Sequence, residues 1–213
     1  MNQRLHKYLA SRALWPLIAL LIAINLWLGI KAGGDNLLRN SAAPNGIISL
    51  EVAGSMGAAE AIMQSWNRLL PDGTTLLLDV ARQSLKWDYV FILFYTITLA
   101  LGCLISASII DTRHEKLKRL GLVKVGWMLI CSQVLVAALD ATENVALWMV
   151  LHGSKSNSWP VLSKWCAVPK FGLIGISFFY MFLTFIIWIG ESHKRRPFSV
   201  IAGQHLGEPP YVK

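Results

Sequence analysis

Long apolar runs separated by short polar stretches set the pattern of this chain. The run from Val125 to Leu151 is long enough to cross a bilayer, and it carries Asp140, Glu143 and Asn144 inside it or at its edge. Three more runs accompany it: Leu14 to Ile30, interrupted by Asn25; Asp88 to Ile110; and Phe171 to Ile189. Blocks of about 17 apolar residues or more are the signature of membrane spans rather than of soluble core helices. The pattern therefore predicts an all-α, polytopic membrane protein. It is a four-transmembrane-helix bundle with spans near 14–30, 88–110, 123–151 and 171–189.

Between the first two spans, residues 31–87 form the one sizeable polar piece, expected as a small extracytoplasmic cap. Gly33, Gly34, Asn40, Pro44, Asn45 and Gly46 give it a loop-like start. Ile48, Leu50 and Val52 alternate with Ser49 and Glu51, which predicts a short strand or extended stretch. Ser55 is placed to cap a helix starting near Gly57, with Ala58, Ile62, Trp66 and Leu69 on one face. Pro71, Asp72 and Gly73 end that helix, and Thr74 to Lys86 reads as a second amphipathic segment running into the next span. Few large apolar groups make this a weak independent core, so it is expected to lie on the membrane or the bundle. In the second span, Gly102 and Ser106 are spaced for close helix packing. His152 to Val168, with Pro160 and then Pro169, reads as a loop. Residues 190–213, rich in Lys194, Arg195 and Arg196 and ending Pro209-Pro210-Tyr211, have the composition of a disordered cytoplasmic tail. The basic start followed by Leu14–Ile30 reads as an uncleaved first span rather than a signal peptide, because Lys31 sits where a cleavage site needs small residues.

Composition sharpens the class. The chain has 213 residues, 54% hydrophobic and 15% charged, against about 25% charged in a soluble domain. The formal charge of +8 falls largely in short segments flanking the spans, so it points to topology and anionic headgroups rather than nucleic acid. The densest clusters are Arg4, Lys7 and Arg12; Arg113, Lys116, Lys118 and Arg119; and Lys194 to Arg196. These predict both termini and the second-to-third loop on the cytoplasmic side of a bacterial inner membrane. Lys124 and Lys170 edge their spans, where they can snorkel. Cys103, Cys131 and Cys166 form no CxxC. The first two lie in apolar spans and read as packing residues.

That orientation gives depths. At 1.5 Å per residue, Asp140 lies roughly 24 Å from Lys124, below the outer boundary of a core about 30 Å thick. Asp88 then sits at the same boundary, with Tyr95 about 10 Å deeper. Asn25, Asp88, Tyr95, Asp140, Glu143, Asn144 and Lys170 all fall in the outer half. Asp140, Glu143 and Asn144 share a helix face, and Gln133 extends it inward. Carboxylates at such depth are costly. They are either a polar network holding helices together, with Lys170 as counter-charge, or a pocket opening outward. His6, His114, His152, His193 and His205 are scattered without metal-ligand spacing, and no nucleotide or nucleophile-elbow motif occurs, so neither metal nor cofactor is expected.

The order ISLEVAGS…A…I…SW (Ile48 to Trp66), ARQSLKWDYVFILFY (Ala81 to Tyr95), LDATENVAL (Leu139 to Leu147) and KFGL (Lys170 to Leu173) resembles a group of bacterial four-helix integral membrane proteins with no assigned activity. The resemblance covers about residues 47 to 190. It implies the four-span architecture and draws interest to Asp88, Tyr95, Asp140, Glu143, Asn144 and Lys170, without a substrate. The expected function is non-enzymatic: binding a lipid, a hydrophobic ligand or a partner protein through an outward polar pocket. Two alternatives stand beside it. One is a membrane-embedded enzyme using Asp140 and Glu143 on a lipid-like substrate. The other is a proton-coupled transport component, which four spans without an inverted repeat would have to build by oligomerising. The expected partners are the bilayer, a lipid or hydrophobic ligand, and a second copy or another membrane protein.

Overall fold

A computed structural model describes residues 15–32, 35–71 and 73–194. The basic head and the tail beyond Lys194 lie outside the described residues. Among the described residues seven α-helices follow in order: α1 (Trp15–Ala32), α2 (Ile47–Glu51), α3 (Met56–Trp66), α4 (Leu77–Arg113), α5 (Glu115–Arg119), α6 (Leu122–Leu151) and α7 (Ser158–Lys194). A 3-10 turn, Asp35–Leu38, lies between α1 and α2. Four helices among the described residues are long and apolar enough to cross a membrane.

α6 lies between α4 and α7, while α1 packs on α4 and makes no comparable contact with α7. Close approach is achieved with small residues. A Cβ on Gly126 would sit 2.5 Å from Tyr180 Oη and 2.8 Å from Ala107 Cβ, so this glycine lets α6 meet α4 and α7. Gly102 touches Met181 in the same way, and Ser106 and Ser108 are buried beside it. Trp27 of α1 meets Trp87 of α4 edge-on, with centroids 5.7 Å apart. On the outside, Val134, Met128, Leu26, Phe179 and Phe182 are each at least 60% exposed. A soluble protein rarely displays so much contiguous apolar surface.

The segment between α1 and α4 packs on one end of this bundle. Leu38, Ile47, Leu50, Ile62 and Trp66 share a core with Leu77, Ala81 and Leu85 of α4 and Leu147, Val150 and Leu151 of α6. Trp66 is fully buried, and its indole donates to the Leu38 carbonyl at 2.8 Å. Ser55 caps α3 as expected, accepting from the Ala58 amide. The buried face of α3 is Ala59, Ile62 and Trp66. Ile62 and Trp66 are thus buried as predicted, while Ala59 takes the place of the exposed Ala58, and Leu69, past the helix end, is 55% exposed.

Three local expectations are corrected. The predicted strand around Ile48–Val52 is helix α2: Ile47, Leu50 and Glu51 are its buried positions, an i, i+3, i+4 set of helical period, while Ile48 and Val52 of the alternation are exposed. The predicted loop before the fourth span is largely helical, because α7 already starts at Ser158. Pro160 falls in its first turn, where no N–H is needed. Pro169 is inside the helix, where its missing N–H leaves the Trp165 carbonyl without the usual donor. Finally, Cys103 is buried as a packing residue but Cys131 is exposed.

Candidate functional site

The side chain that gathers the site is Lys170, one residue past Pro169 on α7 and only 4% exposed. An ammonium at that depth needs anions around it. Its Nζ donates to Asp140 Oδ1 at 2.7 Å, lies 2.8 Å from Glu143 Oε2, and is 3.8 Å from Glu51 Oε2. The expectation that Lys170 snorkels at a span edge is therefore overturned. Three carboxylates inside the bundle hold it there. The ammonium also sits 4.6 Å from the centroid of the neighbouring Phe171 ring.

Asp140 uses its second oxygen as well: Tyr95 Oη of α4 donates to Oδ2 at 2.5 Å. Asp140 thus ties α4, α6 and α7 together. One turn further along α6, Asn144 donates to Asp88 Oδ2 at 2.6 Å. The i, i+3, i+4 spacing of Asp140, Glu143 and Asn144 is what aims all three inward, and each is at most 4% exposed.

Glu51 is the residue that the sequence reading passed over. It ends α2 and is buried. Its main-chain carbonyl accepts from Ser163 of α7 at 3.0 Å. Its position within the ISLEVAGS stretch was the available signal. The two-residue alternation placed it on a polar face and hid it. Burial raises its carboxyl pKa above the ordinary value, while Lys170 and a contact with the Glu143 carboxyl pull it back and Asp140 pushes it up again.

The two remaining candidates lie apart from Lys170. Asn25 of α1 donates to Thr98 of α4 and to the Leu21 carbonyl, both at 2.8 Å. Gln133 is buried and donates to Ser177 of α7 at 3.0 Å and to the Leu129 carbonyl at 3.1 Å. Both act as ties between helices.

A cavity of 1420 Å³ opens between α1 and α7, with α4 as its floor. It follows from the lack of comparable packing between α1 and α7. Its walls are mostly apolar, including Leu21, Ile22, Phe91, Ile105, Phe178 and Met181. Glu51, Asp88, Tyr95, Asp140, Lys170 and Arg39 line one end, and Arg113 lines the other. Asn25 and Thr98 also line it. Glu143 does not. Its carboxyl is fully buried behind Lys170. Among the described residues no three His, Cys, Asp or Glu side chains are disposed as metal ligands. The Lys170 ammonium fills the point where the carboxylates converge.

Comparison of the chain with protein families, with curated proteins and with solved structures gives no match. The resemblance noted on the four motifs therefore has no counterpart there, and fold and site stand on their own geometry.

Proposed function

We propose that this chain is a multi-pass membrane protein that binds a lipid-like amphiphile in the groove between α1 and α7. In this reading the termini are cytoplasmic and the charged end of the groove lies near the outer boundary of the bilayer. The observation that carries it is the cavity's asymmetry: a long apolar trough with acids and a lysine gathered at one end. That is the shape of a tail with a head, and large apolar pockets with few convergent polar groups are where such ligands bind. The apolar outer surface of α6 and α7 supports the membrane placement.

The same geometry disfavours acid–base catalysis by Asp140 and Glu143. Both Asp140 oxygens are engaged, by Lys170 and Tyr95. Glu143 has no face on the cavity. A general base must reach its substrate, and this pair is spent on internal contacts.

The test is native mass spectrometry of the protein purified from membranes in mild detergent. Wild type is expected to carry a retained lipid. Ile105→Trp, which puts an indole into the trough, is expected to lose it while keeping the same thermal midpoint within a few degrees. Equal lipid retention by both proteins sinks the proposal.

A further inference from the structure

The charged end of the groove is unbalanced. Glu51, Asp88 and Asp140 line it, Glu143 lies behind Lys170, and the cations at that end are Lys170 within the network and Arg39. Lys170 is committed to Asp140 and Glu143 at 2.7 and 2.8 Å. Glu51 lies further off, at 3.8 Å, and its Oε2 has no hydrogen-bond donor although the residue is nine-tenths buried and lines the cavity. Asp88 lines the same end, half-buried, and its hydrogen bond comes from the neutral Asn144 amide rather than from a cation. An anion in that position, between apolar walls, favours a cation beside it, because a low-dielectric surround strengthens the attraction.

We propose that the amphiphile taken by this groove carries an amine head, held by Asp88 and reaching toward Glu51, with its apolar chain along α4 toward Ile105. This rests on the lipid-binding reading above and specifies its head. A protonated amine supplies a donor to Glu51 Oε2 and a cationic partner to Asp88, which accepts from the neutral Asn144 amide, whereas a purely anionic head would have to sit beside both carboxylates. The chemistry could reach the site as a membrane lipid or as a free amine in water. The apolar trough running away from Asp88 selects the membrane amphiphile.

The experiment reconstitutes full-length protein in nanodiscs containing equal amounts of phosphatidylethanolamine and phosphatidylglycerol with identical acyl chains. Lipids retained after transfer to detergent are weighed by native mass spectrometry. Wild type is expected to retain the ethanolamine lipid over the glycerol lipid by roughly tenfold, the size of one charge-assisted hydrogen bond. Asp88→Asn keeps the shape and an acceptor for Asn144, and is expected to retain lipid without the preference; Asp88→Glu is expected to restore most of it. Excess free ethanolamine is expected not to displace the bound lipid; displacement would assign the site to a soluble amine and overturn the amphiphile. Equal retention of both lipids by wild type, or preference for the glycerol lipid, overturns the amine head while leaving the groove reading intact. If wild type retains no lipid, or if Ile105→Trp retains as much as wild type, the groove reading itself falls.

Discussion

At the level of single side chains, Lys170 decides the stability of the site. Removing one partner of a buried ion pair leaves its counter-charges uncompensated, at a cost of about 3–5 kcal/mol. Lys170→Met is therefore expected to lower the unfolding midpoint in detergent strongly. Adding Asp140→Asn and Glu143→Gln to it is expected to recover much of the loss, because the stranded charges disappear with the lysine. If the triple variant is no better than the single one, the lysine's packing matters more than its charge. Glu51 gives the pH dependence. Its raised pKa means that the folded chain binds this proton more tightly than the unfolded one. The resulting stability is complete below the ordinary glutamate value of 4.5 and is lost as pH rises through the folded value. Wild type should lose ground to Glu51→Gln as pH is raised across that window, read as the difference between their thermal midpoints. A constant difference would place Glu51 in a solvated setting. Asp140, Glu143, Asn144 and Lys170 were legible in the sequence because charge inside an apolar run is conspicuous. Glu51 was not, since it sits outside the runs and reaches Lys170 only through the fold.

At the level of helices, the apolar runs located the spans but not their ends. α4 starts at Leu77, as the amphipathic Thr74–Lys86 stretch running into the second span anticipates, whereas α7 starts at Ser158, well before Phe171. The extra turns of α7 are amphipathic, so hydropathy loses them, and packing against the α2–α3 segment makes them helical. The prolines misled for a related reason: Pro160 and Pro169 resemble loop punctuation, yet one occupies a permissive first turn and the other is tolerated inside a packed helix. Small residues then fix how near the helices come. Gly126→Ala would drive its methyl into Tyr180 and Ala107, and should destabilise by about 1–3 kcal/mol. Gly102→Ala meets the flexible Met181 thioether and should be milder. The order of the two unfolding midpoints checks this; the reverse order would mean that α4 and α6 adjust more easily than the methionine does.

Across the whole molecule, the four-helix architecture could be read from hydropathy, whereas the groove could not. No pattern within α1 or α7 says that these two helices leave a gap between them. The membrane placement has its own check in Cys131, the exposed thiol on α6, about 14 Å along the helix from Leu122. In sealed and inverted membrane vesicles alike, a hydrophilic maleimide should leave Cys131 unlabelled, and the thiol should react once the protein is denatured in SDS. Labelling in intact vesicles would put water against that face and remove α6 from the hydrocarbon.

One uninterrupted helix, α4, holds Leu77, Ala81 and Leu85 beneath the α2–α3 segment and Asp88 and Tyr95 on the groove. No glycine or proline interrupts it between Leu77 and Tyr95. A tilt imposed at its first turns must swing the two polar side chains as well, so a contact made on the α2–α3 segment and a ligand lodged in the groove would each feel the other through a single stiff lever.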